Sequence, residues 1–346
     1  MPKITIISAI QRKYEVISSS ATLMLNKHEV RLRKSGRNAS RIVWGFFCIF
    51  ILCGLSFIIM YPLLYMLSMS FRVPADIADP SVIWIPRNFT IQNVIDAIRF
   101  MDYENSLKNT FLLCIVSSCL QIISCALVGY GLARFSFKGK SIIFALIIFT
   151  IIVPPTVTYT PTYMMFKEFS FMGITKLIQA VTGQDLAVKL IDTPWVLYLP
   201  AALGVGIKSG LFIYIFRQFY INLPHELEDA AYIDGCGHIQ TFVRIIIPNA
   251  GVAFLTVFLF SLVFYWNDYY NVSMYFSKTQ TVSTALSNLS SAFSMDSAFE
   301  AIRADPYLKA TRMQAGCLLS IMPLLLIYMV LQRYFVTGLE RSGIVG

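Results

Sequence analysis

Three groups of residues in this 346-residue chain have types and spacing that suit chemistry. The first is Gly139-Lys140-Ser141, which ends like a phosphate-binding loop. Such a loop needs another glycine five residues before its final one, so that backbone N–H groups can cradle phosphate. Position 134 is Arg, and no other Gly-Lys-Ser/Thr occurs. ATP chemistry, if there is any, must therefore lie on another chain. Nucleophile-elbow and zinc-helix patterns are absent, and His28, His225 and His238 are scattered. The seven cysteines include no Cys-x-x-Cys pair, so neither a metal site nor a disulfide framework is expected.

The second group lies inside apolar runs. Lys208 sits among Gly204, Gly206, Ser209 and Gly210. An ammonium at the bilayer centre costs at least about 2.5 kcal/mol, so such a residue faces a wet cavity or finds a partner. Two readings stand for it, a path-facing cation or a lysine that snorkels or bonds a carbonyl. Ser117, Gln121 and Ser124 fall on one helical face. They either line a path or hydrogen-bond to a neighbouring helix. Asn267 and Asp268 end a later apolar run, as an outer gate, a receptor contact or a solvated helix end. Pro154-Pro155 removes two backbone donors and predicts a kink, which either lines a cavity or is static packing.

The third group is Glu226–Pro248. Glu226, Glu228 and Asp229 crowd the start of a short helix, where carboxylates suit the positive end of the dipole. Gly235-Cys236-Gly237 breaks the pattern, and a second segment, Ile239–Ile247, is predicted to stop at Pro248. Helix, tight turn, helix is the expectation.

The elements that position these groups follow from composition. The chain is 56% hydrophobic and 14% charged, with a mean hydropathy of +0.65. Soluble domains carry about 25% charged residues. Six runs reach the roughly 20 residues of a span: about 42–66, 109–133, 141–165, 196–216, 249–270 and 314–335. The fold class predicted is an all-α polytopic membrane protein. Residues 1–41 hold nine Lys/Arg against two Glu. This tail lacks the interleaved aromatics of a nucleic-acid binder and reads as a basic cytoplasmic flank. The short, basic Arg134–Lys140 link falls on the same side, as does 217–248, which places both termini inside. The domains are then tail 1–41, spans 42–335 and tail 336–346. Trp84, Trp195 and Trp266, with Tyr61, Tyr65, Tyr269 and Tyr270, are expected at headgroup level.

Asp229-Ala230-Ala231, three residues, Gly235, nine residues, Ile245-Ile246-Ile247-Pro248 resembles the cytoplasmic loop of ABC importer permeases, with Asp for Glu at 229 and Ile for Leu at 247. Asn109-Thr110, Gly129-Tyr130-Gly131-Leu132-Ala133-Arg134-Phe135 and Trp266-Asn267-Asp268-Tyr269 resemble the maltose-type second permease subunit. So does the C-terminus, which departs at Glu340, Arg341, Ser342 and a missing Lys. The resemblance covers about 40–340 and leaves the first 40 residues unexplained.

The resemblance implies that Glu226, Glu228, Asp229, Ala230, Ala231, Asp234, Gly235, Ile245 and Pro248 form a coupling helix. Asp229 would meet a basic group in a cleft of the ATPase, with the alanines set close. The expected function is the permease of an ATP-driven, binding-protein-dependent sugar importer in a bacterial cell membrane, working by alternating access. Its partners would be a second permease subunit, two copies of an ATPase and an extracytoplasmic sugar-binding protein. This chain itself would need no cofactor, ATP and Mg lying on the ATPase. A non-sugar solute is the alternative. A self-contained secondary transporter would want mid-membrane carboxylates or inverted repeats, and a membrane enzyme would want paired carboxylates or metal ligands. Neither pattern is found in the spans.

Overall fold

The computed structural model describes residues 41, 43–170, 189–295 and 305–343, with side chains except at 294–295 and 334–343. Apart from Arg41, the basic tail lies outside the described residues, as do 344–346. Among the described residues the named elements are all helical, and an antiparallel bridge joins Arg72 and Phe89.

The chain divides into two compact units, residues 1–65 and 66–346. The described part of the first is helix α1, Val43–Ser70, whose last turn belongs to the second. Its Val43, Phe50 and Ile59 are exposed, as suits a helix surrounded by lipid.

The second unit is built on α4, Tyr103–Arg134. At about 1.5 Å per residue its 32 residues reach about 48 Å, more than a hydrocarbon core needs. It starts before Asn109-Thr110, the expected entry, and those two residues hold the 280–282 segment. Asn109 donates to the Gln280 carbonyl, and Thr110 Oγ1 accepts from the Val282 N–H at 2.9 Å. On the way to α4 the chain forms α2, Pro74–Ala78, and α3, Gln92–Phe100. A buried ion pair, Asp96–Arg312 at 2.6 Å, ties α3 to the last helix, α14, which runs Pro306–Gly343 without a boundary at 335.

The remaining helices are interrupted, each for a legible reason. After Gly139, at φ +88°, α5 covers Lys140–Ile152. Residues before proline disfavour the helical region, and Val153 and Pro154 are extended. Pro155 then opens α6, Pro155–Lys167, at the position proline favours. The two axes meet at 102°.

The run expected as one span over 196–216 is two helices, α7 Trp195–Ala202 and α8 Ser209–Asn222. Pro200 supplies no N–H, and Gly204 takes φ +73°. Gly204 N–H donates to Ala201 and Val205 N–H to Pro200 at 2.9 Å, which is a Schellman cap.

Next come α9, Glu226–Ile233, and α10, His238–Asn249. α10 does not stop at Pro248. A π turn over Phe242–Ile246 widens the helix, and the proline, which would clash in a regular turn, is carried in the last one. α10 meets α11, Gly251–Trp266, at 77°. The outer helices α12, Tyr270–Tyr275, and α13, Val282–Met295, follow.

Among the described residues three helices, α1, α4 and α14, are long and apolar enough to cross a membrane, or up to five segments if each bent pair is one span. Trp266 ends α11 but faces neither lipid nor water. It is 1% exposed, donates to the Ser320 carbonyl at 3.0 Å and meets Phe111 edge-on, because α11 ends inside the packing against α14.

Candidate functional site

Three of the helix interruptions share one feature. The bend at Val153–Pro155, the break at Gly204–Gly210 and the segment after α11 at Asn267–Tyr270 all line one cavity of about 730 Å³. Backbone free of helix is tolerated at membrane depth where it lines a cavity or is buried in protein. Lys208 lines this cavity, in the left-handed conformation (φ +58°) directly before α8. That conformation costs an L residue about 1–2 kcal/mol. Asn267 and Asp268 line the same space. Asp268 Oδ1 accepts from the backbone and side chain of Asn271, both at 3.1 Å, while Oδ2 has no hydrogen-bond partner among the described residues. Tyr159 and Tyr270 stack at 6.1 Å, adding aromatic faces to the wall.

Ser117, Gln121 and Ser124 are buried and do not border the cavity. Gln121 Nε2 donates to the Ile207 carbonyl at 2.7 Å and to Ser209 Oγ at 2.8 Å. Its Oε1 accepts from Ser261 at 3.0 Å, and Ser124 Oγ donates to the Ala201 carbonyl at 2.6 Å. Gln121 and Ser124 thus bond to carbonyls on either side of the α7–α8 break. On this face Gln121 and Ser124 bond between helices, while Ser117 Oγ is buried with no hydrogen-bond partner among the described residues. The small residues beside Lys208 serve packing too. A Cβ on Gly206 would stand 2.7 Å from the Tyr265 hydroxyl.

The loop Glu226–Pro248 has two faces. Glu226, Asp229, Ala230, Asp234, Gly235 and Pro248 are exposed, and Ile245 is half-buried. Glu228 and Ala231 are buried against the chain itself. Glu228 Oε1 lies 2.7 Å from Arg134 Nε, so this acid turns toward the chain itself. Successive helix residues point about 100° apart, which separates Glu228 from its neighbour Asp229. Gly235 takes φ +82°, with Cys236 N–H donating to Ala231, a second Schellman cap. Ile233 and Ile239, 86% and 80% exposed, crown the turn. The sequence reading passed over them, although apolar residues beside acids and glycines in a polar loop are the signal of a docking surface. Arg134, noted only as part of a motif and a positive charge, also escaped it.

The family described as binding-protein-dependent transport system inner membrane component matches residues 125–341. The chain belongs to that family. Members are membrane transport components, not enzymes. Over 318 residues, 90% of this permease and 98% of the relative, it is 26% identical to the inner membrane ABC transporter permease protein YcjP of Escherichia coli (strain K12). It is 28% identical over 286 residues to the melibiose/raffinose/stachyose import permease protein MelC of Bacillus subtilis (strain 168), covering 82% of this permease and 91% of the relative. The fold matches a chain of a bacterial ABC transporter involved in import of the acidic polysaccharide alginate, with TM-score 0.63 and 19% identity, over 86% of this permease and 98% of that chain.

Proposed function

We propose that this permease moves a sugar or oligosaccharide through the cavity between α5–α6, α7–α8 and α11, driven by a separate ATPase that docks on Glu226–Pro248. The convergence of three helix interruptions on one cavity carries the reading. A cavity with aromatic walls and a few polar groups, here Lys208, Asn267 and Asp268, suits a hydroxylated solute. MelC, whose name gives three oligosaccharides, supports that solute class.

The permease pairs with a second permease subunit and two ATPase copies, and receives sugar from an extracytoplasmic binding protein. It is multi-pass with both termini cytoplasmic, and ATP and Mg stay on the ATPase. Arg134 and the Leu223–Glu228 stretch touch, which supports placing the two basic-side loops together. Exposed Asp229, Ile233 and Ile239 form the ATPase contact, an acid flanked by two apolar anchors.

Asp229→Lys tests the docking. The subunit still reaches the membrane, since Asp229 is outside the spans, while ATPase retention falls by at least about 1–3 kcal/mol, the worth of a charge-assisted hydrogen bond. Sugar uptake falls with it, and Asp229→Glu keeps both. Full ATPase pull-down and full uptake in Asp229→Lys would remove this loop from the mechanism.

A further inference from the structure

Arg134 is the last residue of α4, and its side chain closes on the stretch that leads into α9. Nη2 donates to the Leu223 carbonyl at 2.9 Å, Nη1 lies 2.9 Å from His225 Nε2, and Nε faces Glu228 at 2.7 Å. The side chains of Arg134 and Glu228 are 3% and 7% exposed. A charge pair withdrawn this far from water holds only while both partners stay, since removing one strands the other.

Thirteen residues earlier on the same helix, about 20 Å along it, Gln121 holds the Ile207 carbonyl and Ser209 Oγ at the start of α8. α8 connects these two places from the other side, beginning at Ser209 and ending at Asn222. Between them the helices touch closely. A Cβ on Gly129 would stand 2.7 Å from Phe216 Cβ and 3.1 Å from the Arg217 nitrogen. Tyr130, Tyr220 and Phe242 fill the cytoplasmic end, with Tyr130 and Phe242 centroids 4.7 Å apart. The α4–α8 pair is therefore tied at the loop, in the middle and at the break that carries Lys208.

We propose that Arg134 and Glu228 are positioning residues that lock the ATPase-docking loop to the α4–α8 pair, so that movement of the loop is delivered to the helix break lining the cavity. This rests on the docking role given above to the outward face of α9. Asp229 and Glu228 then divide the work, the first holding the ATPase and the second transmitting its movement. Packed, doubly tied elements transmit displacement because they cannot deform between their ties.

The test uses the assembled importer in proteoliposomes and reads two quantities, ATPase retained and sugar moved per ATP hydrolysed. Glu228→Gln and Arg134→Gln should each keep the ATPase and lower sugar moved per ATP about tenfold, a typical coupling effect. The exchanged pair Arg134→Glu/Glu228→Arg should recover most of that loss. A merely structural role would lower abundance without uncoupling hydrolysis from transport. An unchanged ratio in the single variants overturns the proposal. So does loss of ATPase retention in Glu228→Gln equal to that in Asp229→Lys, since Glu228 would then face the partner. Retention untouched by Asp229→Lys would instead sink the docking reading. If the variants fail to accumulate, hydrogen exchange on the unaltered importer decides. The amides of Leu223–Glu228 and Ile207–Gly210 should change protection together when a non-hydrolysable ATP analogue is added, and independent changes overturn the lock.

Discussion

Gly210 of α8 lies so close to Thr150 of α5 that a Cβ placed on it would stand 2.5 Å from the threonine Oγ1 and 2.9 Å from the Ile147 carbonyl. The contact fixes one wall of the cavity. Gly210→Val must push α5 away, and overpacking of this kind costs about 1–3 kcal/mol. The expected outcome is a lower thermal midpoint for the detergent-purified subunit and reduced uptake. Gly237→Ala is the control, because nothing lies within 4 Å of a Cβ there. Equal midpoints for both variants would show that the α5–α8 contact does not hold the wall.

Lys208 combines backbone strain with a place on the cavity wall. Lys208→Gly relieves about 1–2 kcal/mol of left-handed strain but adds about 0.5–1 kcal/mol of chain entropy, leaving a gain of up to about 1.5 kcal/mol. Lys208→Met keeps the strain and removes the charge. Both should assemble with the ATPase and change uptake or sugar preference, while only the glycine variant gains in thermal midpoint. Unchanged uptake in Lys208→Met would assign the lysine to packing.

Gly204 and Gly235 close the same kind of helix cap, one at the cavity and one in the docking loop. Valine at either position is strained, since β-branched residues tolerate positive φ badly. Gly235→Val should leave abundance near normal and weaken ATPase pull-down, because nothing lies within 4 Å of a Cβ at the exposed turn. Gly204→Val should keep the ATPase and lose uptake. Identical phenotypes would mean that the loop and the break are not separate parts.

Asp192, in the loop before α7, accepts from the Ser277 N–H and from Ser277 Oγ at 2.7 Å. These bonds, the backbone one first, hold its carboxyl below the ordinary value of 3.8. The folded pKa is depressed, so the clasp contributes fully above the ordinary value and is lost as pH falls through the lower folded one. Proteolysis of the purified subunit at the 189–195 and 276–281 loops should therefore accelerate only in that acid window. Asp192 stands at φ +64°, which Asn also accepts, so Asp192→Asn should abolish the pH dependence. A pH profile identical to that of the parent would exclude this clasp.

Much of the architecture was legible in the chain. Apolar run length identified α1, α4 and α14, because a bilayer demands about 20 residues whatever the neighbours are. Pro154-Pro155 announced its interruption, since a missing N–H and a restricted preceding residue are local properties. Gly235 announced its turn because the loop around it is polar and its helix pattern visibly stops. Gly204 forms the same cap inside an apolar run, where hydropathy continues unbroken and hides it.

Tertiary packing decided what those elements face. Helical spacing puts Ser117, Gln121 and Ser124 on one side of α4, but only the arrival of α7, α8 and α11 gives Gln121 and Ser124 their hydrogen-bond partners. Glu228 and Asp229 are adjacent acids with nothing local to separate them. Arg134, distant in sequence, captures one and leaves the other to solvent. Periodicity fixes the angle between side chains on one helix. Which angle meets water, lipid or a neighbouring helix is set by long-range contacts, and those exist only once the chain has folded.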